Sequence, residues 1–248
     1  MSIVNHTVYK FDDLESLSRY AAAMFAGLSE ESISETGRFA AALAGGSTPQ
    51  LLYSILGSDA YRTRIPWGAV HFFWGDERIV PRSHKDSNYL HIYDNLLSKV
   101  PVPSGNIHPV DVGTDSPTVS SVLYEREIRE FFGIKDDRMP RFDLIILGIG
   151  KDGHTASLFP GHEALGEQSH LAAAVANAPL HSRVTITLPV INNARNVLFL
   201  VSGEEKALIL KRVLEEQDLS LPASLVRPNN GRVIFLVDRK AASLLSTK

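Results

Sequence analysis

The 248-residue chain contains no cysteine, which excludes a disulfide framework and any chemistry that requires a thiolate. It has no apolar run near the roughly 18 residues of a membrane span, and its first residues lack the basic and apolar segments of a secretory signal. It also lacks a basic excess, because 25 Lys and Arg residues face 28 Asp and Glu residues. A nucleic-acid-binding surface would need such an excess. These absences predict a soluble, cytoplasmic protein that binds neither membranes nor nucleic acid.

The composition supports a folded α/β protein. Hydrophobic residues make up 44% of the chain and charged residues 21%, so a sizeable core can form. Segments typical of strands alternate with segments typical of helices, and no convincing linker separates them. We therefore predict one domain spanning 1–248, with a mostly parallel sheet covered by helices on both faces. The predicted strands are 3–9, 38–43, 69–74, 107–110, 144–147, 171–175, 184–188, 196–201 and 231–237.

Local signals predict where several helices begin. Asp12 and Glu15 have the spacing of a capping box. Thr48 followed by Pro49 predicts an N-cap and a first helical residue. Asp238, directly after the last strand, predicts the cap of a final helix.

The stretch FDLIILGIGKDGHTASLFP, residues 142–160, is the most informative part of the sequence. Its apolar run predicts a buried parallel strand, and the three glycines that follow allow a sharp turn with exposed N–H groups. Ligands of open α/β sheets bind at the carboxyl ends of the strands. Asp152 and His154 are therefore predicted to reach a binding site, although a lone Asp-Gly-His turn is more often structural.

Four other strand boundaries carry candidate ligand-binding groups. A glycine-rich turn before a helix suits a phosphate. Charged residues follow the third strand, and a basic side chain lies near each of two later strands. Each feature alone has an ordinary structural explanation, such as a turn or a surface ion pair. Together they indicate a phosphorylated, hydroxyl-rich small molecule, with one histidine for proton transfer. The residues are Gly45, Gly46, Ser47, Thr48, Asp76, Arg78, Arg183 and Lys206.

Several other chemistries are not supported by the sequence. It has no G-x-S-x-G elbow, no phosphate-binding G-x-x-x-x-G-K-[ST] loop and no H-E-x-x-H helix. Gly148, Gly150 and Gly153 match the dinucleotide fingerprint, but no acidic residue follows a strand at the required distance. His154 and His162 do not have the usual spacing of metal ligands, and the remaining histidines form no useful pattern. We therefore predict neither a metal nor a cofactor.

Five motifs, taken in order, resemble the 6-phosphogluconolactonase family. They are LAGGSTP (43–49), WGDERIVP (74–81), GIGKDGHTASLFP (148–160), SRVTITLP (182–189) and SGEEKA (202–207). The resemblance extends over nearly the whole chain. It implies the three-layer αβα fold of glucosamine-6-phosphate deaminases, no cofactor, and hydrolysis of 6-phosphogluconolactone in the oxidative pentose phosphate pathway. It further implies that His154 is the general base and that Gly45 to Thr48, Arg78, Arg183 and Lys206 surround the substrate and its phosphate.

Some alternatives remain open at the level of sequence. Asp152 could orient His154 or bind a sugar hydroxyl. A deaminase or isomerase of the same fold would carry a glutamate in the following turn, where this chain has Phe159. A non-catalytic sugar-phosphate sensor would need a DNA-binding segment. The sequence does not favour this alternative, because the chain is net acidic and its first predicted strand begins within a few residues.

Overall fold

A computed structural model describes residues 6–246 of the chain. Its main sheet has seven strands, all pairing in parallel, in the order β1-β10-β9-β6-β2-β3-β5. These strands are β1 (His6–Phe11), β2 (Phe39–Leu43), β3 (Val70–Trp74), β5 (Ile107–His108), β6 (Leu144–Leu147), β9 (Asn196–Val201) and β10 (Arg232–Asp238). The predicted parallel sheet is confirmed; residues 3–5 of the predicted first strand lie outside the described residues.

The apolar runs in the sequence correspond to the central strands of this sheet. Every residue of β2, β6 and β9 is buried. A strand in the middle of a parallel sheet has both faces covered by helices, so both sets of side chains must be apolar. This burial explains why these three segments lack the polar–apolar alternation of a half-exposed strand.

Helices flank the sheet and complete a three-layer αβα fold of the predicted class, with α1 and α2 packed against each other. The α-helices are α1 (Leu14–Thr36), α2 (Thr48–Leu56), α3 (Asp59–Arg62), α4 (Asn88–Ile92), α5 (Pro117–Phe132), α6 (Leu188–Ile191) and α7 (Ala207–Lys211). Wider π-helical turns continue α4 through Tyr93–Leu97 and α7 through Arg212–Glu216. Short 3₁₀ turns occur at Trp67–Ala69, Ser104–Asn106, Glu163–Gly166, Glu204–Lys206 and Pro222–Leu225. No helix of residues 6–246 combines the length and apolar character needed to cross a membrane.

Three predicted caps differ from the structure. Helix α1 is capped by Asp13, which forms a capping box with Ser16 instead of the predicted box from Asp12. Helix α2 begins at Thr48, so its N-cap is Ser47. No helix follows Asp238 within the described residues, and 239–245 form turns and a bend.

A second, smaller sheet contains two strands that were predicted to belong to the parallel sheet and one short strand that was not predicted. It has the order β4-β8-β7 and is antiparallel, with β4 (Asp76–Arg78), β7 (Ala172–Val175) and β8 (Arg183–Ile186). Gly75 marks the change of sheet, because its N–H donates to Leu43 while its carbonyl accepts from the N–H of Ile186. The charged segment after β3 is therefore a strand of its own, and not the frayed end of β3.

Candidate active site

All ten predicted site residues line one open cavity of about 870 Å³. The cavity lies where β2, β6 and β9 end, and residues of the small antiparallel sheet form part of its wall. The ten residues are Gly45, Gly46, Ser47, Thr48, Asp76, Arg78, Asp152, His154, Arg183 and Lys206. Because the carboxyl ends of parallel strands meet at one edge, groups far apart in sequence converge there.

His154 and Asp152 form a hydrogen-bonded pair in the loop after β6. The Nδ1 atom of His154 lies 2.5 Å from Oδ1 of Asp152, which also accepts the His154 backbone N–H at 3.2 Å. The loop closes on itself through a bond from the N–H of Gly150 to the His154 carbonyl. A side chain on Gly150 would overlap the imidazole, so this position requires glycine. The local backbone therefore fixes the relative position of the two side chains.

The pairing also determines which imidazole nitrogen is free. A carboxylate can only accept, so Nδ1 carries the hydrogen and Nε2 keeps its lone pair. No group among residues 6–246 forms a hydrogen bond with Nε2. Burial raises the pKa of Asp152, but hydrogen bonds and the charge of His154 outweigh it and hold this pKa below its usual value. The pair can therefore accept a proton at Nε2 and stabilise the resulting imidazolium.

Phe159 packs against the other side of the pair. Its ring centroid lies 4.5 Å from that of His154, and the guanidinium carbon of Arg183 lies 5.5 Å from the same ring. The phenyl ring supplies an apolar surface beside the imidazole and the guanidinium. The cavity therefore has one acid–base pair here and no second carboxylate in this turn.

Two arginines face each other across the small sheet. Arg78 and Arg183 are directly opposite in the β4–β8 register. Arg78 donates to the Asp86 carbonyl at 2.6 Å, and Arg183 lies 3.7 Å from the Asp76 carboxylate. Burial lowers the pKa of Arg183, and the charge of Arg78 adds to this effect. Like charges placed opposite each other destabilise a sheet, so an anion bound between them would relieve the repulsion.

Asp76 connects the arginines to the glycine-rich turn. Its Oδ2 atom accepts from the Ser157 hydroxyl at 2.6 Å and its Oδ1 atom accepts from the Asn88 amide at 3.2 Å. The same Asn88 side chain occupies the space that a Cβ on Gly45 would need. Asp76, which is only 6% exposed, thus holds Arg183 and the turn at residues 45–48 close together.

The turn itself presents unsatisfied donors to the cavity. Ser47 caps the nine-residue helix α2 without any side-chain cap bond, and Gly46 has a positive φ of 90° that favours glycine. The first N–H groups of an α-helix have no partner within the helix, and they lie at the positive end of the helix dipole. The turn is therefore suited to a phosphate or another anion.

Lys206 approaches the cavity from the loop after β9. Its ammonium donates to the Ile149 carbonyl at 2.8 Å, and burial lowers the pKa of the side chain. The loop is anchored by Asp238, whose carboxylate accepts from the Ser202 hydroxyl and from the Gly203 N–H. Asp238 thus stabilises the Lys206 turn. It also accepts the N–H of Ala241 as a cap would, but the segment that follows is a turn and not the predicted helix.

Three residues that shape the cavity were not assigned a role from the sequence: Ser157, Asn88 and Glu77. Ser157 and Glu77 lie within motifs that were recognised, but nothing in their spacing showed which way they face. The carboxylate of Glu77 accepts the N–H groups of Arg78, Asn88 and Tyr89. Burial raises the pKa of Glu77 to about 7 despite these bonds. Glu77 therefore ties the start of α4 to β4, beside the two arginines.

Fold and cavity together define a class of protein, an αβα protein whose pocket combines two arginines and the N-terminus of a helix with one histidine–carboxylate pair. Comparison with known proteins gives the family. The family model for glucosamine-6-phosphate isomerases/6-phosphogluconolactonase matches residues 12–235. The chain belongs to this family.

Individual relatives agree with this assignment. The 6-phosphogluconolactonase of Rattus norvegicus is 42% identical over 217 residues, which cover 85% of this chain and 82% of the rat protein. The structure of 6-phosphogluconolactonase from Trypanosoma cruzi superposes with a TM-score of 0.88 at 30% identity, covering 100% of this chain and 99% of that one. A monomeric glucosamine-6-phosphate deaminase superposes with a TM-score of 0.79 at 22% identity, covering 96% of this chain and 99% of the deaminase, and thus shares the fold.

Proposed function

We propose that this protein hydrolyses 6-phospho-D-glucono-1,5-lactone to 6-phosphogluconate in the oxidative pentose phosphate pathway. The observation that carries the proposal is the His154–Asp152 pair, with Nε2 unpaired, in the same cavity as an anion-binding wall. Relatives named 6-phosphogluconolactonase, such as the rat enzyme, support the choice of reaction.

His154 acts as the general base in this proposal. Its Nε2 atom takes a proton from a water molecule while the water oxygen attacks the lactone carbonyl carbon. A lactone carbonyl is already electrophilic, so no covalent nucleophile is needed. The negative charge that develops on the carbonyl oxygen is stabilised by N–H and cationic donors of the cavity wall.

Collapse of the tetrahedral intermediate completes the reaction. The bond between the carbonyl carbon and the ring oxygen breaks, and the imidazolium of His154 returns its proton to that oxygen. The products are the free hydroxyl and the carboxyl group of 6-phosphogluconate, and the carboxyl group releases the remaining proton of the water molecule to solvent to become the carboxylate. Asp152 stabilises the imidazolium between the two proton transfers, through the 2.5 Å contact with Nδ1.

The phosphate is bound, in this proposal, by Arg183 and Arg78 together with the turn at Gly45–Thr48, and Lys206 adds a further positive charge. Two observations support this assignment. The two arginines lie opposite each other, and Asp76 and Asn88 connect Arg183 to the turn. Arginine and helix N–H groups are the usual partners of phosphate oxygens. The reacting carbon would then lie at the other end of the substrate, toward His154.

The direct test is acid release from freshly prepared phosphogluconolactone, with spontaneous opening subtracted at each pH. We expect rapid turnover by the wild-type protein. Glucosamine-6-phosphate serves as the parallel substrate, and we expect no ammonia release from it because Phe159 occupies the position of the second acid. Ammonia release without lactone hydrolysis would replace this proposal by the deaminase alternative.

Three further expectations accompany this proposal. We propose that residues 1–248 form a single domain, that the protein acts in the cytoplasm, and that its partner is the small phosphosugar lactone and not nucleic acid. The family match over residues 12–235 supports the first, and the formal charge of −3 supports the last.

A further inference from the structure

Two histidines and an aspartate from separate loops meet beside the small sheet. The Nε2 atom of His181 lies 2.9 Å from Oδ2 of Asp86, and the Nδ1 atom of His84 lies 3.8 Å from the same oxygen. One ligand atom from each residue lies within 4.8 Å of the other two. The two imidazole rings meet edge to face, with centroids 5.5 Å apart. This cluster, His84–Asp86–His181, does not belong to the residues that line the candidate active-site cavity.

The backbone holds both loops of the cluster in place. The carbonyl of Asp86 accepts from Arg78, and the backbone N–H of Asp86 donates to Nδ1 of His84 at 3.1 Å. On the other loop, the N–H of Ile79 donates to the Ser182 carbonyl, which extends the β4–β8 pairing to the residue after His181. These backbone hydrogen bonds hold the three side chains close together, and they do not require an ion.

We propose that His84, Asp86 and His181 form a binding site for one divalent transition-metal ion, with Zn²⁺ as the best match. Two imidazole nitrogens and one carboxylate oxygen are a usual set of protein ligands for zinc. Bonds of about 2.1 Å in a tetrahedral site place ligand atoms about 3.4 Å apart, and the distances of 2.9 and 3.8 Å bracket this value. Small side-chain rotations bring all three atoms to one ion, and water fills the fourth position.

The two ring nitrogens nearest to Asp86 are both engaged in hydrogen bonds that an ion would replace. Nδ1 of His84 accepts the backbone N–H of Asp86 at 3.1 Å, and Nε2 of His181 lies 2.9 Å from Oδ2 of Asp86, so a bound ion would displace the first bond and the proton of the second. Asp86 lies between the two rings, where a cation would neutralise its charge. The side chains are 37%, 36% and 26% exposed for His84, Asp86 and His181, so an ion can enter from solvent. Two nearby positive charges oppose binding: the exposed Lys85, which also acts on the Asp86 carboxylate, and the Arg78 guanidinium, which donates to the Asp86 carbonyl at 2.6 Å.

An ion at this position would link the two loops that lead into the arginine pair. Asp86 is bonded to Arg78 through its carbonyl, and His181 precedes Arg183 by two residues. The site would thus join the outer ends of β4 and β8 without touching the His154–Asp152 pair. It is a site separate from the proposed chemistry, and its occupancy can be measured without any substrate.

The test uses the full-length protein after EDTA treatment and desalting. Co²⁺ is titrated while visible absorbance is recorded, and Zn²⁺ is then added in competition. We expect one ion per chain. His84→Gln and His181→Gln should each weaken Zn²⁺ affinity by at least about 10- to 100-fold, because even the loss of an outer-shell partner has an effect of that size.

The matched control is His170→Gln. His170 pairs with a carboxylate oxygen of Glu125 at 3.2 Å and is 67% exposed, but no second histidine joins it in a group of metal ligands among the described residues. This variant should bind Zn²⁺ as the wild type does. Circular dichroism verifies that each variant is folded. The inference is wrong if Zn²⁺ at about 1 mM, a concentration that detects even weak binding, does not bind. It is also wrong if the two cluster variants bind like wild type, or if only His154→Gln abolishes binding.

Discussion

Replacing Asp152 by asparagine separates two roles for this residue. In the wild type, Oδ1 of Asp152 accepts both the Nδ1–H and the backbone N–H of His154. Asparagine keeps an oxygen that can accept both of these hydrogen bonds. The substitution therefore removes the negative charge while leaving the acceptor geometry available. If Asp152 acts by stabilising the imidazolium of His154, the variant should lose kcat and keep its KM.

The size of the loss follows from the type of hydrogen bond. A bond to a charged group contributes about 1.5–3 kcal/mol and a neutral one about 0.5–1.5 kcal/mol, so the difference is about 1–1.5 kcal/mol. This corresponds to roughly a 5- to 13-fold lower kcat. The Asp152 side chain is 52% exposed, and solvent screening places the expected loss at the lower end of that range. His154→Gln, which removes the base itself, should lower kcat by roughly 10²- to 10⁴-fold.

The assay is stopped-flow acid release from fresh lactone for the wild type, both single variants and the double variant. If Asp152 works only through His154, then Asp152→Asn should have no further effect in the His154→Gln background. A raised KM with unchanged kcat would instead assign Asp152 to a sugar hydroxyl. Near wild-type kcat in His154→Gln, after subtraction of spontaneous opening, would refute the assignment of His154 as the base.

Four other predictions test the remaining parts of the structure. Arg183→Ala and Lys206→Ala should each raise KM by roughly 10- to 200-fold, since a charge-assisted contact contributes about 1.5–3 kcal/mol, whereas Arg64→Ala outside the cavity should not change KM in the same assay. Gly150→Ala should fold but lose most of its kcat, because the new methyl group displaces the catalytic imidazole; an active variant would show that the loop adjusts. Hydrolysis should survive EDTA treatment, and restoration of a lost activity by added Zn²⁺ would contradict this expectation. Burial and a neighbouring histidine lower the pKa of His71 to about 4 from 6.5, so the unfolded chain binds the extra proton between these values. The free energy of unfolding should therefore fall as pH drops from 6.5 to 4, and chemical denaturation of His71→Gln should show a shallower fall.

The parts of the fold that could be predicted are those that local patterns determine. The buried runs at Leu144–Leu147 and Asn196–Val201 have no polar residue on either face except at their ends, and both are central strands. The glycine spacing after β6 likewise predicted a tight loop, because few other residues tolerate such turns. These features depend on residues that are close in sequence, so no long-range information was needed.

The small antiparallel sheet could not be predicted in the same way. β4 has only three residues, and its partner β8 lies more than a hundred positions away. A charged segment of that length carries no periodicity that distinguishes a strand from a surface turn. The position of Asn88, which fills the space beside Gly45, depends on the same long-range pairing.

The missed sheet matters because it joins the two halves of the candidate site. The arginine pair is positioned by β4 and β8, whereas His154 is positioned by the loop after β6. One ring, Phe159, contacts both halves, with His154 on one side at 4.5 Å and the Arg183 guanidinium at 5.5 Å. An apolar residue there can hold an imidazole and a cation without competing for the proton that the imidazole must transfer. A glutamate at the same position would bind the arginine and add a second acid–base group. In the proposed mechanism, a single side chain at position 159 therefore affects both phosphate binding and the number of protons that the site can move.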